Sequence, residues 1–226
     1  MKVIITGASG MVGKGVLLEC IEDEDIDKIL LIGRSVIEIN HPKVEYLIHK
    51  DFNDFSSLTD KIAGYDACFM CMGISAAGLT EEEYTEITYN YTLSLTTTLF
   101  KLNPQMTITY VSGQGTDSTE KGRVMWARVK GKTENTLLNI GFKGAYMYRP
   151  GAIIPLKGIK SRTKMYQFMY DYFLWLIKII KKMSPNSIVN TTQMGKSMIY
   201  IAKTGYSEKI LNPVDIIKTS ELYDNQ

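Results

Sequence analysis

Cysteine is scarce in this 226-residue chain: Cys20, Cys68 and Cys71 form an odd, sparse set that supports no disulfide framework. A reducing, cytoplasmic setting is expected. Cys68 and Cys71 spell C-x-x-C, but they lie in DACFMCMG, which reads as a buried strand whose positions three apart face opposite ways. They are therefore read as packing thiols. Histidine is scarcer still, and neither His41 nor His49 has the spaced partners that a metal site needs. No metal is expected. Charge of one sign is also lacking, since 26 basic residues against 24 acidic ones leave a net charge of +2. The one basic cluster, Lys178, Lys181 and Lys182, closes an apolar helix, where cations suit the C-terminus, so no nucleic-acid footprint is present. No charged segment followed by an apolar one opens the chain, so no signal peptide is expected. The most apolar stretch, KMYQFMYDYFLWLIKIIKKM, is cut by Asp171 and Lys178 and leaves 172–177 unbroken. A transmembrane helix needs about 20 residues. Met165, Phe168, Tyr172, Leu176 and Ile179 recur at helical spacing there, predicting a face that covers a cleft or a partner subunit rather than lipid.

What is present is an alternation. Apolar, β-branched runs at 2–6, 28–32, 44–49, 67–72, 107–112 and 145–148 are separated by helical patterns at 13–21, 80–100 and 124–138. Thr80 and Glu83 form a capping box for the second. Such alternation predicts an α/β fold, a doubly wound parallel sheet of the Rossmann type. After Pro150 the alternation stops, and two helices are expected, at 164–182 and 193–202. No Pro/Gly/Ser linker precedes them, so 1–226 is read as one dinucleotide-binding domain in which 151–226 forms a small helical cap.

The first strand runs into TGASGMVGKG. Gly7, Gly10 and Gly13 stand at a spacing of three, at the first strand-to-helix turn, where backbone N–H groups and the helix dipole attract a pyrophosphate. Ser9, Met11 and Val12 complete that turn.

TGASGMVG, with LIGR at the end of the second strand, resembles the short-chain dehydrogenase/reductase superfamily in its extended, atypical branch. That branch includes the NAD-dependent epimerase/dehydratases and the Tat-interacting short-chain reductase-like proteins. Further matches come in order along the chain: Asp51-Phe52, which in the family borders adenine; Cys71-Met72-Gly73 after the fourth strand; Asn90 in the next helix; VSGQGTD; WARVK; and Arg149-Pro150-Gly151. The resemblance covers 2–151 and implies a dinucleotide cofactor held by these segments. The residue class at the second strand's end points to which one. An NAD enzyme places a carboxylate about 20 residues after the glycines. Here Gly33-Arg34-Ser35 stands instead, and a guanidinium suits a 2′-phosphate, so NADP is expected in preference to NAD.

The family's proton chemistry, as the resemblance implies it, uses a tyrosine, a lysine four residues on, and a serine that orients the substrate oxygen. Lys130 matches the lysine, but Trp126 occupies the tyrosine position, and an indole neither ionises near neutral pH nor serves as acid or base. Ser112 matches the first of two serines common at that strand end, and Gly113 replaces the second. Two readings are compatible with this: an NADP-binding sensor or regulatory protein without tyrosine-dependent chemistry, or an NADP-dependent oxidoreductase or epimerase acting on a small carbonyl or sugar-type substrate through a substitute donor. Tyr84, Thr116, Asp117, Tyr166 and Tyr170 are candidates for that donor. A homodimer or a protein partner is compatible with either reading.

Overall fold

The computed structural model describes residues 1–159 and 188–226, so the expected helix at 164–182, with Tyr166 and Tyr170, lies outside the described residues. The described strands are β1 (Lys2–Thr6), β2 (Lys28–Gly33), β3 (Val44–Ile48), β4 (Ala67–Met70), β5 (Thr107–Val111), β6 (Gly144–Tyr148), β7 (Ala152–Ile154), β8 (Ile188–Asn190) and β9 (Ile210–Leu211). The helices are α1 (Met11–Glu22), α2 (Thr59–Ile62), α3 (Glu81–Thr85), α4 (Tyr91–Leu102), α5 (Met125–Asn139), α6 (Thr191–Thr204) and α7 (Pro213–Asp224). Seven parallel strands make one sheet in the order β3-β2-β1-β4-β5-β6-β9, while β7 and β8 pair separately. The fold is a Rossmann-type α/β sheet whose strand order reverses between β1 and β4.

Strand residues feed two cores in strict alternation, because successive side chains of a strand point to opposite faces. Val3, Ile5, Ile29, Leu31 and Phe69 join one core, which α1 and α6 cover through Val16, Leu17, Met194 and Met198. Ile4, Leu30, Ile32, Cys68 and Met70 join the other, against Leu95 and Leu99 of α4 and Leu137 of α5. Cys71 packs on the first core and Cys68 lies in the second, so the two thiols occupy opposite faces. Burial pushes the Cys71 thiol up to about 12 and Cys68 up as well, which keeps both protonated and poorly nucleophilic.

Several boundaries differ from the sequence expectation. The strand expected over 67–72 ends at Met70, because its last ladder partner on β1 is Thr6 and the chain turns at Gly7 beyond it. The helix expected over 80–100 begins at the Thr80–Glu83 capping box but is broken by a π-helical turn, Glu86–Asn90, before α4 resumes. The region after Pro150 is not helical alone. It contributes β7, β8 and β9, of three, three and two residues, too short to show a period, and α7 in addition. Asn212, Pro213 and Asp215 start α7 with a capping box and a proline in its first turn, a signal that was readable.

This C-terminal segment is built into the first core. A Cβ added at Gly15 of α1 would stand 2.5 Å from the Cβ of Thr191, and one at Gly195 of α6 would stand 2.5 Å from Cγ of Glu19. The two helices meet where their side chains are smallest. Thr192 Oγ1 donates to Glu19 Oε1 at 2.9 Å across the same contact, and Lys157 Nζ lies 2.7 Å from that carboxylate.

Candidate dinucleotide site

The loop segments singled out above follow the C-terminal ends of the parallel strands β1 to β6. At the switch between β1 and β4, Gly7 has φ +72°, and a Cβ there would sit 2.5 Å from Met72 N and 2.6 Å from the Cys71 carbonyl. A Cβ at Gly13 would fall 2.3 Å from the Gly7 carbonyl oxygen. The turn is therefore held by close approach of main chain to main chain. The expected outcome of Gly13→Ala is a lower urea midpoint together with weaker cofactor binding, since helix and turn must separate; an unchanged midpoint would refute the close approach. Gly10, the N-cap of α1, provides no side-chain cap, and the first turn carries no acidic residue. That leaves the N–H groups near Met11, Val12 and Gly13 without a competing carboxylate, the arrangement an anion requires. Ser9 beside them is partly exposed.

Arg34 and Ser35 follow β2 and are both exposed, and no hydrogen bond or ion pair engages the Arg34 guanidinium among the described residues. Past β3, Asp51 is exposed and accepts the Asn53 N–H at 3.0 Å, while Phe52 is buried between Phe55 and Tyr91. Gly73, after β4, faces open space: nothing lies within 4 Å of a Cβ built on it. Asn90 ends the π-helical turn and donates to Glu86 Oε2 at 2.5 Å. π-turns recur at functional positions, because the extra residue re-aims the side chains of the next helical turn.

On the β5–β6 side the structure shows a side-chain network that the sequence reading did not contain. Glu134, one helical turn after Lys130 on α5, has a side chain 1% exposed, paired with Arg149 at 16%. Arg149 Nε lies 3.1 Å from both carboxylate oxygens, and its Nη2 donates to the same group and to Ser118 Oγ. Ser112 Oγ lies 2.5 Å from Glu134 Oε1 and 3.0 Å from the Tyr148 carbonyl. The Ser112 hydroxyl and the Arg149 guanidinium, expected to orient a substrate and to meet the cofactor, are thus both bonded to Glu134. What the segment 149–151 keeps for a ligand is chiefly main chain. Two signals for this network existed: an arginine ending a wholly buried strand needs a partner, and Glu134 shares the buried face of α5 with Ala127 and Leu137.

Lys130 Nζ donates to the Ser112 carbonyl. Burial lowers the Lys130 ammonium to about 8, with Glu134 pulling the other way. Trp126, one turn earlier, is partly exposed and lies over the loop after β5, so that a Cβ at Gly115 would stand 3.4 Å from its Cη2. Among the described residues its indole N–H has no hydrogen-bond partner. The proposed substitute donors on that loop are engaged: Thr116 Oγ1 donates to the Gly113 carbonyl at 2.7 Å, and Asp117 accepts from Thr119 and Gly122. Tyr84 is 2% exposed, its phenol pushed up by burial. Among the described residues, no three His, Cys, Asp or Glu side chains are placed to hold a metal, and no helix is long and apolar enough to cross a membrane.

The profile of the NAD dependent epimerase/dehydratase family matches residues 3–120, more than half of the chain. The chain belongs to that family. With that family, the chain falls in the atypical branch of the short-chain dehydrogenase/reductases. It is 27% identical over 153 residues to Protein FMP52-2, mitochondrial, of Scheffersomyces stipitis, covering 66% of this chain and 65% of that one. It is 24% identical over 154 residues to Protein HTATIP2 of Rattus norvegicus, covering 67% of this chain and 62% of that one. The match thus spans less than two thirds of either relative's length. Among solved structures, the fold is shared with the Bordetella bronchiseptica enzyme WbmF in complex with NAD+ (TM-score 0.68, 14% identity, 100% of this chain and 79% of that one). It is shared also with a UDP-N-acetylglucosamine 4-epimerase from Methanobrevibacter ruminantium (TM-score 0.70, 15% identity, 93% of this chain and 75% of that one). The family cofactor is a nicotinamide dinucleotide, and the residues present fit it: a side-chain-free glycine turn, an uncapped helix start and the open space above Gly73.

Proposed function

We propose that this protein binds NADP(H) and lacks the tyrosine-dependent proton delivery of its family, so that it acts as a cofactor sensor or as a regulatory or interaction protein. The observation that carries this reading is Trp126 on α5, one turn before Lys130, with no phenol between them. When bound, the reduced dinucleotide would supply hydride. The residues around it would bind and orient: the first turn of α1 holds the pyrophosphate, Asp51 and Phe52 border the adenine, and Lys130 meets the nicotinamide ribose.

Selectivity for the phosphorylated cofactor rests on Arg34, exposed just past β2 and without a hydrogen-bond or ion-pair partner among the described residues. A hydrogen bond to a charged group contributes about 1.5–3 kcal/mol, or roughly ten- to a hundredfold in dissociation constant. Calorimetric titration should give tighter binding of NADPH than of NADH, and Arg34→Ala should remove most of the difference. Equal affinities in the unaltered protein would overturn the assignment.

A second reading is a slow NADP-dependent oxidoreductase or epimerase acting on a small carbonyl or sugar-type substrate. It is favoured by one observation, Lys130 one turn from Trp126 on α5 with its Nζ on the Ser112 carbonyl.

A further inference from the structure

We infer that Lys130 is itself the proton donor in carbonyl reduction by this protein, taking the place of the missing tyrosine through its position on the Trp126 face of α5, beside the Ser112 carbonyl. The inference rests on the second reading above and names the donor which that reading requires.

Three observations lead to it. The other candidates among the described residues are spent: Ser112 on Glu134, Thr116 and Asp117 on the loop, and Tyr84 on the core. Lys130 by contrast carries three N–H donors, of which the described residues accept one, at the Ser112 carbonyl. Glu134, one turn on along α5, is held by Arg149 and Ser112 and forms no ion pair with it. A tyrosine-bearing relative would use this lysine to tune a phenol. Without the phenol, an ammonium that burial has already brought to about 8 is matched to acid work near neutral pH.

The step balances. With hydride that the bound cofactor would supply to the carbonyl carbon, the C=O π pair would move to oxygen and Lys130 Nζ would pass one proton to that oxygen, leaving an alcohol and a neutral amine. Solvent then reprotonates the amine. Among the described residues, ionisable groups on the elements around Lys130 include Glu134 and Lys132 on α5, Arg149 after β6, Asp117 in the loop against Gly131, Tyr110 on β5, Tyr84 of α3, Glu81 of α3 paired with Arg128, and on the π-turn Glu86, bonded to Asn90, and Tyr89, under Lys132. Reduction needs the ammonium. Its rate should therefore hold at neutral pH and fall as pH rises through about 8, with oxidation showing the opposite limb.

Two measurements test this. In the first, lysine Cε and Nζ resonances of the isotope-labelled protein are titrated without substrate, Lys130→Arg supplying the assignment. A Lys130 pKa near 8 is expected, and an ordinary lysine value overturns the inference. In the second, NADPH oxidation is followed against pH with a dicarbonyl, beside titrations of NADPH binding. The expected result is slow turnover with a single falling limb near pH 8, reduced roughly 10²- to 10⁴-fold in Lys130→Arg at saturating NADPH, any loss of the Lys130 ribose contact being read separately as lower affinity in the binding titration. Turnover whose falling limb survives in Lys130→Arg overturns the inference, and so does tight NADPH binding with no turnover at all; both leave the cofactor reading standing. Failure to bind NADPH instead removes the proposed function itself.

Discussion

Glu134→Ala should destabilise the protein by about 3–5 kcal/mol, the loss expected when a buried ion pair is broken from one side. Glu134 is buried and accepts from the Arg149 guanidinium and the Ser112 hydroxyl, so that it ties α5 to the ends of β5 and β6. Removing the carboxylate leaves a guanidinium on a half-closed site with, among the described residues, Ser118 as its remaining side-chain partner. It also frees Ser112, whose hydroxyl falls back on the Tyr148 carbonyl. Urea unfolding would read the effect as a lower midpoint at an unchanged slope. The double variant Glu134→Leu with Arg149→Met should recover much of the loss, because replacing both members of a buried pair by apolar groups is often close to neutral. A Glu134→Ala change within about 1 kcal/mol, as exposed pairs give, would mean that water reaches the carboxylate and that the network is a surface feature.

The sheet was legible because its signal is periodic and repeated. Each of the first six strands is a run of apolar residues feeding both faces, and between them the helices show their own period. The glycine turn was legible because Gly7 and Gly13 sit where a Cβ would strike main chain, a constraint that leaves no other residue type. What escaped was short or held by partners distant in sequence. β7, β8 and β9 have too few residues for a pattern. The π-turn at Glu86–Asn90 inserts one residue without changing the helical composition around it. Glu134 and Arg149 stand fifteen residues apart, on a helix and just past a strand, and the sequence marks each as a charge without saying that they meet. Reading Ser112 and Arg149 by motif position therefore assigned them to ligands, whereas the packing gives both side chains to Glu134.

Trp126→Tyr should raise carbonyl reduction with NADPH and a generic dicarbonyl or quinone, by roughly 10²- to 10⁴-fold where no other group gives the proton, the range that a positioned general acid contributes, and by less where Lys130 already donates it. Trp126 and Lys130 lie four apart on α5 and so share one face of the helix, and the indole already reaches over the loop at Gly115. A phenol there would have a desolvated cation one turn away, and that neighbour favours the phenolate and lowers the hydroxyl's pKa toward the working range. The falling limb near pH 8 assigned to Lys130 should then change, because the pair titrates together. Adding the second family serine would not help. Gly113 has φ +151°, a backbone that an L side chain adopts only under strain, so Gly113→Ser should lower stability by about 1–3 kcal/mol before any orienting gain is realised. Cofactor affinity should move little in Trp126→Tyr, since the contacts proposed for the pyrophosphate and the 2′-phosphate are at α1 and Arg34, after β1 and β2, and not on α5. The opposite result has a clear meaning: fast NADPH turnover by the unaltered protein, lost in Trp126→Phe, would make the indole N–H the group that orients substrate and would place this chain among working reductases with a rebuilt site.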